Sequence, residues 1–139
     1  MNIINGLANL FKKRSSENIE LGSVEYTIEH KQLNRFNKGI KIEYHENGER
    51  LGRATIYILY NELHDRPFGL LEDLFVEPGH RKRSIGSKLT DEAVQYANFQ
   101  GCYKLICTSR YTSKKIYSMY KKYGFKDHGR EFRIDYPRK

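Results

Sequence analysis

A short apolar run, followed by a basic loop and an amphipathic segment, constrains this chain more than any other feature. The run contains Leu70, Leu71, Leu74, Phe75 and Val76. It stops at Pro78 and Gly79, and this length and boundary are typical of a strand buried on both faces. Apolar residues then recur every fourth position, at Ile85, Leu89, Ala93 and Ala97. This spacing predicts a helix that begins between Ser84 and Gly86, so the expected order is strand, loop, helix.

The loop between the two elements has the composition of an anion-binding turn. Its residues are Arg81, Lys82, Arg83, Ser84, Ile85, Gly86 and Ser87. The first N–H groups of a helix are unpaired and carry partial positive charge, which favours phosphate there. Gly86 would let a ligand approach the backbone closely. No Gly-Lys-Ser/Thr follows at nucleotide-loop spacing, and two of the three dinucleotide-binding glycines are missing. A solvated basic turn before an ordinary helix remains the alternative.

Two motifs in the second half of the chain resemble the GNAT (GCN5-related N-acetyltransferase) family. Arg81, Ser84 and Gly86 fall on the three positions of the family's pyrophosphate signature, and Tyr120, Gly124 and Phe125 match its second signature. Ser84 stands at a position where the family usually has glycine. This replacement implies that the backbone at Ser84 does not depend on glycine. Ser113, Ile116 and Met119 replace the usual asparagine, alanine and phenylalanine. The segment 101–106 is similar to a strand entry in the glucosamine-phosphate acetyltransferase branch. The resemblance covers the chain well from Leu70 onward.

The resemblance implies an α/β fold with a mixed, mostly antiparallel sheet flanked by helices, and an N-acetyltransferase reaction. Acetyl-CoA would be the co-substrate, and a primary amine would attack it directly in a ternary complex. The pantetheine arm would lie along Leu74, Phe75 and Val76, and the pyrophosphate would meet the N–H groups of residues 83–87. Arg81 and Lys82 would add charge, and Ser113 and Tyr120 would complete the cofactor site.

Tyr120 is the candidate general acid for the leaving thiolate. The pKa of a phenol is about 10, near that of a thiol, so a proton can pass between them. The alternative is a tyrosine that only packs on the helix beside Ile116 and Tyr123. A base must also deprotonate the amine, and Glu72 or Asp73 at the strand entry could serve. Alternating side chains would face opposite sides, so we favour Glu72 alone. A plain strand-end ion pair is the competing interpretation.

Composition supports one domain without a predicted membrane span or metal site. The 139 residues suffice for a single core, and no apolar run is long enough to cross a bilayer. We therefore predict an acetyltransferase domain over residues 19–139, in the cytoplasm, preceded by an amphipathic helix and linker over residues 1–18. That helix could dock on the domain, mediate self-association or touch an anionic membrane, in that order. Cys102 and Cys107 are expected to be buried thiols on opposite faces of one strand. The five histidines have no metal-ligand spacing.

The formal net charge of +8 is concentrated near the C-terminus, where residues 110–139 hold ten Lys or Arg against three acids. Interleaved tyrosines make a nucleic-acid-binding or acidic-partner-binding module without catalysis the alternative function. Nucleic acid is nevertheless disfavoured, because solvated lysines and a polyphosphate cofactor account for the charge. The expected partner is a small-molecule or protein amine acceptor, and a homodimer is an open alternative to a monomer.

Alternating apolar residues predict the remaining strands. They are centred on Val24 to Ile28, Ile40 to Tyr44, Leu51 to Tyr60, Tyr103 to Cys107 and Phe132 to Tyr136. Asn47-Gly48 predicts a tight hairpin between the second and third of these strands. Family members usually place two helices after the first strand, but only residues 31–38 are available here. We therefore expect a shortened helical region. The acceptor pocket would be open, or closed by the N-terminal apolar segment, by the loop from Asn61 to Pro67 or by a partner subunit.

Overall fold

The structure is a computed structural model that describes residues 24–32, 38–110 and 113–138, with side chains from residue 38 onward. It divides into two compact units, residues 1–107 and residues 108–139. The predicted N-terminal helix over residues 1–18 lies outside the described residues.

The first unit contains five strands in sequential order in one sheet. They are β1 (Val24–Gln32), β2 (Lys38–Glu46), β3 (Glu49–Asn61), β4 (Arg66–Val76) and β5 (Leu105–Cys107). The first three pairings are antiparallel and the β4–β5 pairing is parallel, which confirms the mixed, mostly antiparallel fold. Only residues 33–37 separate β1 from β2, so the region after the first strand is shortened as expected.

The predicted hairpin and helix are both present. Asn47 and Gly48 have φ values of 53° and 78°, and two consecutive positive φ values are the requirement of a type I′ turn. Helix α1 (Ile85–Phe99) connects β4 to β5. Its buried residues are Ile85, Leu89, Thr90, Ala93, Tyr96 and Ala97. The buried Thr90 hydroxyl donates to the Gly86 carbonyl at 2.8 Å. This polar group on the buried face of α1 therefore has its hydrogen-bond partner within the helix.

The core lies between α1 and one face of β2, β3 and β4. From the sheet it takes Ile40, Ile42, Tyr44, Leu51, Ala54, Ile56, Ile58 and Leu71. Gly52 allows the start of α1 to pack closely on β3, because a Cβ there would lie 3.0 Å from Ile85 Cγ2 and 3.1 Å from the Phe75 carbonyl oxygen. The position of the helix N-terminus is therefore set by direct contact with β3 and β4.

Strand β4 is less buried than its composition predicts. Leu71 is buried, whereas Leu70, Leu74, Phe75 and Val76 are half-buried, so the expectation of a strand buried on both faces is wrong. The reason is that α1 covers one face only and that β5 pairs with just Gly69, Leu70 and Leu71.

The second unit contains helix α2 (Lys114–Lys122), which carries Ile116 and Tyr120 of the second signature. The predicted last strand is wrong, since among residues 113–138 no strand forms. Phe132, Ile134 and Tyr136 are 94%, 77% and 82% exposed. Alternation gives this segment the pattern of a strand, but a strand also needs a neighbouring edge to take its backbone hydrogen bonds.

The cysteines are free, and both are half-buried. Cys107 ends β5, whereas Cys102 precedes that strand, so the expectation that they occupy opposite faces of one strand is wrong. Burial, with the nearby Glu72 carboxylate, raises the pKa of Cys107 to about 11. Burial also raises the pKa of Cys102. Thiols held in the protonated form are poor nucleophiles, consistent with a structural role.

Candidate active site

The basic loop places a left-handed residue directly before helix α1. Ser84 has φ 61° and ψ 13°, and Lys82 has φ 66°. The expectation that the Ser84 backbone does not need a glycine conformation is therefore wrong, because this region favours glycine. A left-handed residue followed by a right-handed one turns successive N–H groups toward a common point. Ser84 thus builds the concavity that the signature glycine would build.

The N–H groups at the start of α1 have no protein acceptor in the part of the chain that the structure describes. The first hydrogen bond of the helix is made by the Lys88 N–H, which donates to the Ser84 carbonyl at 3.0 Å, and the Ser84 side chain does not cap the helix. The N–H groups of Ile85, Gly86 and Ser87 are therefore not used by the helix itself. Unpaired N–H groups at a helix N-terminus are suited to an anion.

The Arg81 side chain is held in place by contacts that do not neutralise its charge. Its Nε donates to the Val76 carbonyl at 3.1 Å, and its guanidinium lies 5.9 Å from the centre of the Phe75 ring. Arg53 approaches the same ring at 4.8 Å. Neither guanidinium has a carboxylate partner within the described ranges. Two uncompensated cations therefore lie beside β4 where it enters the loop, and Arg53 was not anticipated from the sequence.

Arg83 is arranged differently from Arg81. One of its terminal nitrogens contacts both carboxylate oxygens of Glu46, at 2.9 and 2.6 Å, and the other lies 2.8 Å from His80 Nδ1. Since arginine only donates, His80 Nδ1 accepts here. A shallow depression next to this pair is lined by Glu46, Asn47, Glu49, Leu51, His80 and Arg83. The carboxylates of Glu46 and Glu49 make this depression unfavourable for an anion. Through its contact with Glu46, the Arg83 side chain instead anchors the loop to the β2–β3 hairpin.

A β-bulge separates Glu72 from the residues predicted to hold the pantetheine arm. Thr55 pairs with Glu72 and Arg53 pairs with Phe75, so Asp73 and Leu74 together face a single residue of β3. Asp73 has φ 54°, as expected where an extra residue is inserted. The simple alternation of side chains therefore ends after Glu72, and Glu72 and Phe75 lie on the same face.

Strand β4 has an open edge beyond its short pairing with β5. The pairing ends at Leu71 opposite Cys107, so in the described part of the sheet residues 72–76 have no neighbour on that side. Open backbone groups on a strand edge can bind an extended chain of amides. The Val76 carbonyl already accepts a hydrogen bond from Arg81. Leu74 and Phe75 are therefore the better candidates for backbone hydrogen bonds to an extended ligand.

Ser113 and Tyr120 belong to the second unit. Ser113 precedes α2 and its carbonyl accepts from the Tyr117 N–H at 3.0 Å. Tyr120 is only 8% exposed, and its ring lies 5.3 Å from that of Phe125, tilted by 57°. The Phe125 N–H donates to the Tyr120 carbonyl at 3.1 Å, so Gly124, with φ 88°, turns the chain back onto the tyrosine. The second signature thus forms one packed turn.

The residues described here include no cluster of three or more His, Cys, Asp or Glu suited to a metal ion. Among the same residues, no helix has the length and hydrophobicity needed to span a membrane.

We expect the two arginines of the loop to contribute unequally to binding of a polyphosphate. Arg81→Ala should reduce the salt dependence of acetyl-CoA affinity, because it removes a charge that has no carboxylate partner in the described ranges and lies beside the loop. Arg83→Ala should change it less, since Glu46 already compensates that charge. Dissociation constants measured from low to high salt test this order. Unchanged salt dependence in both variants would place the phosphates elsewhere.

Both the sequence and the fold are similar to those of known proteins. The sequence model of the acetyltransferase (GNAT) family matches residues 5–125. The glucosamine 6-phosphate N-acetyltransferase of Trypanosoma brucei brucei is 36% identical over 70 residues, covering 50% of this chain and 46% of that protein. The uncharacterized N-acetyltransferase YhfO of Bacillus subtilis is 29% identical over 82 residues, covering 59% and 55%. This chain spans about half the length of the curated relatives it matches.

Solved structures with low sequence identity share the fold. A Trypanosoma brucei acetyltransferase superposes with a TM-score of 0.61 at 24% identity, covering 94% of this chain and 78% of that one. The glucosamine-6-phosphate N-acetyltransferase of Arabidopsis thaliana gives a TM-score of 0.62 at 19% identity, covering 97% and 89%. Since the family model covers most of the sequence, including both signatures, the chain belongs to the GNAT family of acetyltransferases.

Proposed function

We propose that this protein transfers an acetyl group from acetyl-CoA to a primary amine by direct attack in a ternary complex. The observation that carries the proposal is the set of unpaired N–H groups at Ile85, Gly86 and Ser87, placed after a bulged strand with an open edge. N–H groups at a helix N-terminus suit a pyrophosphate, and the strand edge suits the amide-containing pantetheine arm. Family membership supports the same co-substrate.

Two side chains are assigned to proton transfer. Glu72, half-buried on β4, would remove the proton of the attacking amine, directly or through one water. Tyr120 would donate a proton to the departing sulfur. The amine nitrogen forms the new bond to the acetyl carbon while the thioester C–S bond breaks, and the thiolate leaves as the CoA thiol.

We propose a small-molecule amine with an anionic group as the acceptor. The net charge of +8 favours encounter with a negatively charged molecule over a polyamine. A relative named as a glucosamine 6-phosphate N-acetyltransferase supports an amino sugar phosphate in particular. Two cysteines that form no disulfide support a location in the cytoplasm.

Release of free CoA thiol from acetyl-CoA tests the reaction. We expect thiol release to depend on added amine, in a panel of amino sugar phosphates, amino sugars, polyamines, aminoglycosides, amino acids and lysine peptides. Thiol release at the same rate without any amine, together with no acetylated product by mass spectrometry, would contradict the assignment. A short oligonucleotide that stabilises the protein when acetyl-CoA does not would instead favour the binding module.

We also propose a homodimer, which the exposed C-terminal segment supports. Phe132, Ile134 and Tyr136 alternate with Arg133 and Asp135, which pair with each other at 2.6 Å. One side of an extended segment is therefore polar and the other is apolar and exposed, as in a strand that lacks its neighbour.

Light scattering coupled to size exclusion tests this assembly. The wild-type chain should elute with twice its monomer mass, and Ile134→Asp should elute as a monomer because it places a charge on the apolar side. The matched control Arg130→Asp changes an exposed residue outside the alternating run and should stay dimeric. A monomeric wild-type protein would contradict the dimer.

A further inference from the structure

An aromatic cluster with an exposed lysine lies at the end of the sheet away from the phosphate loop. The Tyr103 ring lies 6.3 Å from Phe68 and 4.5 Å from His64. The Lys104 ammonium lies 5.3 Å from the Phe68 ring and 5.1 Å from the Tyr103 ring. No described carboxylate lies within ion-pair distance of Lys104. The proton-transfer and cofactor assignments use none of these side chains.

The cluster shares a sheet face with Glu72. A Cβ on Gly69 would meet Leu105 and Ala97 at 2.7 and 3.7 Å, so position 69 faces α1. Side chains alternate along a strand, and therefore Phe68, Leu70 and Glu72 face the other way, before the bulge at Asp73 changes the alternation. Lys104 directly precedes β5 and its ammonium lies over Phe68, which places it on that same face. The face opposite α1 thus carries a carboxylate, apolar side chains and an ammonium in a row.

The spacing along this row suits a small molecule. Phe68 and Glu72 are four residues apart on β4, which is about 13 Å at 3.3 Å per residue. The Lys104 ammonium lies 5.3 Å from the centre of the Phe68 ring, so a cation marks one end of this row and the Glu72 carboxylate marks the other. A small molecule with an anionic group and an amine carries the complementary charges at its two ends.

We propose that Phe68, Tyr103 and Lys104 form the subsite that binds the non-reacting end of the acceptor amine. The aromatic rings contact the apolar face of its ring or carbon chain, and the Lys104 ammonium binds its anionic group. Asn61 fixes the Tyr103 hydroxyl, since Asn61 Nδ2 donates to it at 3.2 Å. The acceptor is then an anionic primary amine, oriented with its amine toward Glu72. This assignment rests on the proposed function and names the residues that select the substrate.

Equilibrium binding to the CoA-saturated protein tests this subsite separately from turnover. The matched probes are glucosamine 6-phosphate and glucosamine, which differ only in the phosphate, and calorimetry gives both dissociation constants. We expect tighter binding of the phosphate. Lys104→Gln should weaken binding of the phosphate about tenfold and leave glucosamine binding unchanged, because one charge-assisted contact is lost.

Two controls separate recognition from folding. Lys38→Gln changes an exposed lysine at the start of β2 and should leave both constants unchanged. The unfolding midpoint and CoA affinity of Lys104→Gln should match wild type. Equal wild-type affinity for the two probes, or unchanged phosphate binding in Lys104→Gln, would overturn the subsite. Absence of acetyl transfer to any amine would contradict the proposed reaction, whereas the binding result would still decide the subsite.

Discussion

Tyr120→Phe is expected to lower kcat by roughly 10²- to 10⁴-fold while changing the dissociation constant of acetyl-CoA less than a few-fold. The ring is buried and packs against Phe125, and phenylalanine keeps that packing. Only the hydroxyl is removed, so the departing thiolate loses the proton donor that we propose for it. Steady-state rates with any accepted amine, together with calorimetric acetyl-CoA binding, measure both quantities.

A tyrosine on the same helix provides the matched control. The Tyr117 hydroxyl donates to Asp127 at 3.0 Å, so Tyr117→Phe also removes one tyrosine hydroxyl bond from this unit, and its kcat should stay near the wild-type value. A normal kcat in Tyr120→Phe would return Tyr120 to a packing role. A normal kcat with weakened acetyl-CoA binding would make the hydroxyl a cofactor-binding group.

Gly86→Val is expected to weaken acetyl-CoA binding by tenfold or more, while the unfolding midpoint changes little. A branched side chain at this position obstructs the approach of the pyrophosphate to the N–H groups of the first helical turn. A tenfold loss corresponds to about 1.4 kcal/mol of binding free energy. Calorimetry with acetyl-CoA and thermal unfolding without ligand give the two quantities.

Gly79→Val is the corresponding control for a nearby glycine. A Cβ on Gly79 would meet no heavy atom within 4 Å, and Gly79 lies outside the loop concavity, so its acetyl-CoA affinity should remain near wild type. Undiminished acetyl-CoA affinity in Gly86→Val would show that the pyrophosphate does not bind at this loop.

The elements most accurately predicted from sequence are those set by local patterns. The Asn47-Gly48 turn requires two positive φ values, and few residue pairs other than Asn-Gly supply them readily. Helix α1 begins at Ile85 because the four-residue apolar spacing starts there and the first turn packs on Gly52. The loop and helix that carry the cofactor assignment could therefore be located from residues alone.

The features missed from sequence depend on partners distant along the chain. The bulge at Asp73 exists only relative to the register of β3, and nothing in the local run Leu70 to Val76 indicates it. Arg83 is separated from its partner Glu46 by 37 positions, so the loop sequence alone could not show that a carboxylate compensates the charge of Arg83. Phe132, Ile134 and Tyr136 have a strand pattern, but pairing depends on an edge that the pattern does not provide.

Amide NMR during a titration with CoA tests the central claim most directly, because it observes each N–H group of the loop. We expect the largest saturable shifts at Ser84, Ile85, Gly86 and Ser87, with smaller ones at Leu74 and Phe75. Unmoved loop amides, with the largest shifts instead among the basic residues between 113 and 138, would contradict it.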